Sequence, residues 1–234
     1  GTGVDDGMLG QRVFLFHPHA THAVVPAESV ILLSNDLPPE RAAFLPNLET
    51  AVNLLLDGAP LLGERVAVFG LGVVGVLTTV LLTRMLREGV VGVEPREERR
   101  CFAMSLAPDA LCVAPEKVEE VRPIASPGTG EYASMRHHYP GFDLVYELTG
   151  RPQTLDAAID VAGFGGRVVV GSWYGSKSAP VHLGGRFHRA RLEVISSQVS
   201  SIGPAIKARW DKRRRLDTAL RLLRFLPLER LVTH

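Results

Sequence analysis

A glycine-rich turn between two apolar segments constrains the fold of this chain more than any other feature of its sequence. The uncharged, β-branched run Val66–Phe69 is typical of a buried parallel strand, and residues 76–86 form the apolar stretch of a predicted helix. Between them lies Gly70-Leu71-Gly72-Val73-Val74-Gly75. The eighteen uncharged residues 66–83 are about the minimum for a membrane span, but the glycines near their start favour a strand, a turn and a helix instead.

Each glycine of this turn has a physical task in a site that holds phosphate groups. Gly70 permits the tight turn, Gly72 lets a pyrophosphate approach the backbone, and Gly75 allows the helix to pack closely on the strand. The backbone N–H groups at the start of the helix, at Val73 and Val74, are free to bind phosphate oxygens. In this context the turn predicts a dinucleotide-binding site, with these five residues as cofactor contacts.

An acidic residue after the next predicted strand indicates which dinucleotide is bound. Glu94 lies nineteen residues after Gly75 and follows the apolar run Val90–Val93. A carboxylate there would accept hydrogen bonds from the adenosine ribose hydroxyls and repel a 2′-phosphate, so NAD is predicted. Arg99, together with its basic neighbours, leaves NADP possible, because a guanidinium group near this position can accommodate the phosphate.

Apolar strands and helices alternate through most of the chain. A helix is predicted after Pro38, from apolar residues spaced three and four apart between 42 and 55. Two short β-rich pieces are expected before it, at 12–16 and 22–33. Further strands are expected at 65–70, 90–94, 110–113, 143–148, 167–171 and 192–196. This rhythm is typical of an α/β fold with a doubly wound parallel sheet of the Rossmann type.

Charge and cysteine content argue against several kinds of partner. The 26 basic and 25 acidic residues give a net charge of +1, which favours neither nucleic acid nor an anionic membrane surface. The basic run at 207–224 is interpreted as a solvated helix face, because no RNA-binding motif accompanies it. Cys101 and Cys112 are too few for a disulfide framework, and no secretory leader is recognisable, so a cytoplasmic location is predicted.

The order of several segments resembles the medium-chain dehydrogenase/reductase superfamily, which includes alcohol dehydrogenases, sorbitol dehydrogenases and quinone reductases. The matching segments are Gly10-Gln11-Arg12-Val13-Phe14, His22-Ala23-Val24-Val25-Pro26, Ala42-Ala43-Phe44-Leu45-Pro46, Leu62-Gly63-Glu64-Arg65-Val66-Ala67-Val68-Phe69-Gly70-Leu71-Gly72 and Leu231-Val232-Thr233-His234. The resemblance implies a partial GroES-like, β-rich catalytic domain at 1–50, a Rossmann dinucleotide-binding domain at 51–198 and a return segment to the catalytic domain at 199–234. It also implies a homodimer formed through edge strands of the cofactor domain.

The same resemblance bears on metal content. In zinc-dependent members a Cys or Glu just before the helix that leads into the Rossmann unit binds the metal, and it should fall at Leu45 or Pro46, neither of which binds zinc. The structural zinc lobe of the family would lie between Phe16 and His22, where only five residues intervene. The sequence therefore predicts that this lobe is absent, that there is no metal site, and that zinc is not a cofactor.

Three polar residues are candidates for catalysis. The family residue that matches His17 lines the substrate pocket beside the nicotinamide, so His17 and His19 are predicted to contact substrate or to act as a general acid or base. Two alternatives stay open, namely structural histidines and a metal site that includes His22. Glu49, on the predicted helix, is expected near the substrate, with a displaced metal ligand or a solvated carboxylate as the alternatives.

Two further strand ends resemble backbone-lined cofactor contacts of the family. Thr149 and Gly150 follow the fourth predicted strand of the Rossmann unit, and Gly171, Ser172 and Trp173 end the fifth. Ligands of such sheets sit at the carboxyl ends of the strands. These five residues are therefore predicted to line the nicotinamide, although the Trp173 ring would equally suit packing or a subunit contact.

The function that the resemblance implies is hydride transfer. The expected protein is a zinc-independent, NAD(P)-dependent oxidoreductase. It transfers hydride between a nicotinamide and a small alcohol, carbonyl or enone substrate. One alternative is a zinc-dependent alcohol or polyol dehydrogenase. Another is a dinucleotide sensor or scaffold without catalysis. No arrangement of nucleophile, histidine and acid that would support hydrolysis is recognisable.

Overall fold

The described residues include eight strands, which form two separate sheets. The computed structural model describes residues 5–124 and 130–232. The strands are β1 (Val13–Phe14), β2 (Ile31–Leu32), β3 (Val66–Phe69), β4 (Val90–Val93), β5 (Leu111–Val113), β6 (Phe142–Glu147), β7 (Ala162–Val170) and β8 (Glu193–Ser196). The six strands expected from residue 65 onwards are thereby confirmed, and β7 begins earlier than predicted.

Helices follow most of these strands. They are α1 (Pro39–Ala42), α2 (Leu45–Gly58), α3 (Val73–Leu86), α4 (Glu97–Leu106), α5 (Val118–Val121), α6 (Ala133–His138), α7 (Thr154–Val161) and α8 (Lys212–Leu223). The predicted strand, turn and helix around the glycines is confirmed by β3 and α3. Within the described ranges 5–124 and 130–232, no helix is long and apolar enough to span a membrane.

The larger sheet has the strand order β5-β4-β3-β6-β7-β8, and all its pairings are parallel. This is the doubly wound order of the Rossmann fold, so the fold class expected from the sequence is confirmed. The chain moves outwards in one direction from β3 and then returns to start the other half at β6. A crevice therefore opens at the carboxyl ends of these two strands, where such sheets bind ligands.

Apolar side chains cover both faces of this sheet. On one face, α2, α3 and α8 pack through buried residues such as Leu48, Leu77 and Leu223. On the other face, Ile159 from α7 packs with Phe142. Because both faces are covered, the strands are nearly continuous apolar runs, and this explains why they are recognisable in the sequence.

The segment before α1 is mostly irregular. β1 and β2 form a two-stranded antiparallel ladder, with Val13 opposite Leu32 and Phe14 opposite Ile31. The β-rich piece expected at 22–33 forms a strand only at Ile31–Leu32, and Ala27–Ser29 is a short 3-10 turn. The side chains in this stretch are largely exposed, so no buried surface stabilises a longer strand.

Candidate functional site

The glycine turn after β3 has a shape that requires glycine at two of its three glycine positions. Gly70 has a φ of +90°, and a Cβ there would lie 2.9 Å from the carbonyl oxygen of Leu148. A Cβ on Gly75 would collide with the backbone oxygen of Gly70, so α3 approaches the turn as closely as it can. Gly72 differs, because a Cβ there would have no other atom within 4 Å. The turn is therefore closed at two glycines and open to a ligand at the third.

The open glycine is also the start of α3. Gly72 is the N-cap residue, and no side chain caps the helix there. The first N–H groups of a helix have no partner within it, and they attract anions through the helix dipole. The side chain of Val73 is partly exposed and that of Val74 packs on the core. Neither side chain has a polar atom, so both residues would contact a phosphate through their backbone N–H groups. Open backbone and free donors together form a cradle that suits a pyrophosphate.

Glu94 closes the other side of this cradle. It directly follows β4 and is 4% exposed. Its Oε2 accepts a hydrogen bond from the backbone N–H of Leu71 at 3.0 Å, and its Oε1 accepts one from the N–H of Arg96 at 3.2 Å. Of the neighbouring arginines, Arg99 has its Nη1 3.7 Å from Oε2 of Glu94. Glu94, the residue predicted to bind the adenosine ribose, thus lies beside the glycine turn. The guanidinium group of Arg99 is next to it.

The carboxyl ends of β6 and β7 are tied to each other next to the crevice. The N–H of Gly150 donates to Oγ of Ser172 at 2.8 Å, and this hydroxyl donates to the backbone oxygen of Glu147 at 3.3 Å. Gly171 is closely packed, because a Cβ there would lie 2.6 Å from the side chain of Leu148. Trp173 is 91% exposed. These predicted nicotinamide contacts are therefore adjacent, and their role stays a prediction.

A carboxylate with no predicted role lies beneath these loops. Glu147, the last residue of β6, is fully buried. It accepts hydrogen bonds from the N–H of Thr149 at 2.9 Å, from the hydroxyl of Thr149 and from the hydroxyl of Tyr174. Burial and the adjacent carboxylate raise the pKa of Tyr174, so its hydroxyl stays protonated and acts as a hydrogen-bond donor. A charged residue at the end of a mostly apolar strand is the signal that could have identified it.

Glu49, a predicted catalytic residue, lies in a buried ion pair. Its Oε1 accepts hydrogen bonds from Nε and Nη2 of Arg215 on α8, at 3.1 and 2.9 Å. Arg215 is 2% exposed and also donates to the backbone oxygens of Val199 and Ser201. The interpretation of the basic run as a solvated face is therefore wrong for Arg215, which faces the core because a carboxylate on α2 meets it there.

This ion pair continues into a polar ladder along α2. Glu49, Asn53 and Asp57 are spaced four residues apart and so share one face of the helix. Asn53 accepts from Arg215 at 2.6 Å and donates to Asp57 at 2.9 Å. Ser197, after β8, donates to the same carboxylate at 2.7 Å. The ladder joins α2, α8 and the end of the sheet.

The predicted catalytic histidines lie elsewhere, on the surface of the irregular segment. Nδ1 of His17 is 2.8 Å from the backbone oxygen of Pro18, and Nδ1 of His22 is 3.3 Å from Oγ1 of Thr21. His19 is exposed as well. Among residues 5–124 and 130–232, no hydrogen bond joins a histidine of this segment to Glu49, and no three metal-binding side chains form a group. Their catalytic role stays a prediction.

Comparison with known proteins relates the chain to dehydrogenases. It is 29% identical to the L-threonine 3-dehydrogenase of Pyrococcus furiosus over 149 residues, which are 64% of this chain and 40% of that protein. The alcohol dehydrogenase TADH from Thermus sp. ATN1 superimposes with a TM-score of 0.66 and 26% identity, over 88% of this chain and 55% of that one. No protein-family model matches.

A further solved structure carries metal. The cobalt- and zinc-bound thermostable alcohol dehydrogenase from Pyrobaculum aerophilum superimposes with a TM-score of 0.64 and 25% identity, over 87% of this chain and 51% of that one. The chain spans 40% to 55% of the length of these three proteins. The similarity therefore extends over about half of each relative rather than over its whole length.

Proposed function

Because the chain belongs to the medium-chain dehydrogenase/reductase superfamily, of the alcohol dehydrogenase-like type, we propose that it holds the cofactor of an NAD(P)-dependent oxidoreductase. The proposed reaction is reversible hydride transfer between a nicotinamide and a small alcohol, carbonyl or enone substrate. The observation that carries the proposal is the glycine turn, which is closed at Gly70 and Gly75 but open at Gly72, at the mouth of the crevice.

The residues around the crevice suit the successive parts of a dinucleotide. The pyrophosphate would lie on the open turn and the start of α3, and the adenosine ribose would lie beside Glu94. The nicotinamide, which supplies the hydride-transfer chemistry, would lie against Thr149, Gly150 and Ser172. The chain itself binds and orients these groups and shields the crevice from water.

A single methyl group tests the proposed pyrophosphate site. Gly72 has ordinary backbone angles and free space around it, so Gly72→Ala should fold with an unchanged melting temperature. The added Cβ would occupy the path of the ligand, so we expect NADH affinity to fall about tenfold or more, measured by fluorescence titration. Gly184→Ala is the matched control, because that glycine is equally unobstructed but lies in the segment before β8. Equal NADH affinity in both variants would contradict the proposed site.

The identity of the dinucleotide depends on Glu94 and Arg99. Repulsion between the carboxylate and a 2′-phosphate supports NAD, whereas the neighbouring guanidinium could still accept NADP. We expect Glu94→Gln to reduce the preference for NADH over NADPH, because the amide keeps the hydrogen bond to the turn and removes the charge. Glu97→Gln, an exposed change at the start of α4, is the control. An unchanged preference in Glu94→Gln would assign the selectivity to another residue.

Turnover separates an oxidoreductase from a protein that only binds dinucleotide. Alcohols, including L-threonine, should change the nicotinamide absorbance in the presence of NAD, and aldehydes or quinones should do so with NADH. Binding without any change in absorbance would leave a dinucleotide sensor as the function.

His17, with His19, is proposed as the polar contact to substrate or the acid and base. Glu49 is also proposed as a catalytic residue. Its carboxylate could transfer a proton only after the hydrogen bonds from Arg215 break.

Independence from zinc is also part of the proposal. It is supported by Leu45 and Pro46, which stand where the family places a metal ligand and have no coordinating atom. The cobalt- and zinc-bound relative favours the alternative, a zinc-dependent dehydrogenase. Metal analysis of the purified protein distinguishes the two, since stoichiometric zinc would support the alternative.

We also propose a homodimer in a reducing cytoplasm. β8 is the edge strand of the parallel sheet and pairs only with β7 in the described part of the chain, which supports pairing with a second copy. Cys101 and Cys112 are both free thiols. Analytical ultracentrifugation should give twice the mass of the chain, and a monomer at all concentrations would refute this part of the proposal.

A further inference from the structure

One buried carboxylate at the crevice has no cationic partner in the part of the chain that the structure describes. The buried glutamates of the described residues are Glu49, Glu94 and Glu147. Arg215 and Arg99 lie within 4 Å of the first two. In residues 5–124 and 130–232, Glu147 has no such basic partner, and its stabilisation comes from the donors on Thr149 and Tyr174. Burying a charge without a counter-charge is costly, so its position calls for an explanation.

The sheet register places this carboxylate at the centre of the proposed cofactor site. Glu147 is paired with Phe69, the residue before the glycine turn, on one side. On its other side it is paired with Val170, the residue before Gly171. It therefore lies beneath both loops that would hold the nicotinamide half of the cofactor. The hydrogen bonds from Thr149 and Tyr174 keep it there.

We propose that Glu147 is a fixed negative charge whose role is to favour the oxidised, positively charged nicotinamide of NAD⁺ over the neutral ring of NADH. This inference rests on the proposed function. A buried carboxylate acts on nearby charge through a medium of low dielectric constant, where the interaction is much stronger than in water. The charge that is costly in the free protein thereby becomes favourable when a cationic ring is bound.

The hydrogen bonds suggest a competing role that is purely mechanical. Tyr174 connects the loop after β7 to the end of β6 through the same carboxylate. If Glu147 only ties these loops together, its loss should weaken the two redox forms of the cofactor equally. A charge effect differs, because it changes the ratio of the two affinities.

The test measures dissociation constants of the full chain for NAD⁺ by calorimetry and for NADH by fluorescence. In Glu147→Gln, which keeps one acceptor oxygen but removes the charge, the preference for NAD⁺ relative to NADH should fall about fivefold. Asp143→Asn is the matched control, because it neutralises a carboxylate at the opposite end of the same strand, and the ratio should not change. An unchanged ratio in Glu147→Gln, or an equal loss of both affinities, would overturn the inference and leave the proposed function intact.

A second variant covers the case in which Glu147→Gln does not unfold cooperatively. Tyr174→Phe removes one hydrogen bond and keeps the charge, so the affinity ratio should stay within about twofold of the original. A change in this variant as large as that expected for charge removal would overturn the charge role. If the unmodified chain binds neither NAD⁺ nor NADH, the proposed function fails, and the inference about Glu147 fails with it.

Discussion

The carboxylates of Glu49 and Glu147 are both buried, but their surroundings differ. The first lies between α2 and α8, where Arg215 neutralises it and connects it to the polar ladder. The second lies at the end of β6, where neutral donors surround it and the crevice is adjacent. A charge that is neutralised within the protein serves to join helices. A charge that is left without a counter-ion at a ligand crevice indicates a role in binding.

Removal of the guanidinium group should give the largest effect. Arg215→Met leaves Glu49 charged, buried and unpaired, so we expect the free energy of unfolding to fall by about 3–5 kcal/mol in urea denaturation. Arg213→Met, an exposed change on the same helix, is the control and should alter it by less than about 0.5 kcal/mol. Similar values for both variants would mean that the ion pair contributes little.

The double variant Glu49→Met with Arg215→Met tests whether an uncompensated charge causes this loss. The double change leaves no buried charge, so we expect it to be more stable than Arg215→Met alone, with a coupling energy of about 1–3 kcal/mol. Strictly additive effects of the two single changes would show that packing, rather than charge, links α2 and α8.

A neutral group provides the next comparison. The hydroxyl of Tyr146 is buried and has no hydrogen-bond partner among residues 5–124 and 130–232. Its loss in Tyr146→Phe should raise the free energy of unfolding by about 1 kcal/mol, because a polar group without a partner is no longer buried. Destabilisation measured by the same denaturation would imply a bound water or another partner for the hydroxyl.

Glu147→Gln should change stability less than the loss of Arg215 does. The amide oxygen still accepts from Thr149 or Tyr174, and removal of the uncompensated charge offsets the weaker hydrogen bonds. We expect a change within about 1 kcal/mol in either direction. A loss comparable to that of Arg215→Met would make Glu147 a structural residue and weaken its contrast with Glu49.

The smallest expected effect depends on pH. Burial raises the pKa of Asp57 above its ordinary value of 3.8, although hydrogen bonds from Ser197 and Asn53 oppose the shift. The folded state therefore holds this proton to higher pH than the unfolded state, and the contribution of Asp57 to stability declines as pH rises above about 4. Between pH 4 and 7, the melting temperature should decline less steeply with pH in Asp57→Asn than in the unmodified chain. The same slope in both proteins would contradict this.

The parallel sheet and its glycine turn were largely predictable because their signals are local. The apolar strands, the turn and the first helix depend on neighbouring residues whose burial follows from their spacing. Two predictions failed where local pattern was insufficient. The β-rich piece expected at 22–33 is largely exposed and pairs only at Ile31–Leu32. Arg215 was interpreted as solvated because its partner lies 166 residues earlier in the chain.

The sequence by itself determined the order of strands, the three glycines and the acidic residue beside them. The strands follow from the spacing of apolar residues, and Gly70 and Gly75 follow from steric limits at single positions. Only the tertiary structure decided which charges are neutralised, because pairing depends on which side chains meet across the core. For that reason it placed Glu49 in an ion pair and, within the described residues, left Glu147 without one, beside the strand that leads into the glycine turn.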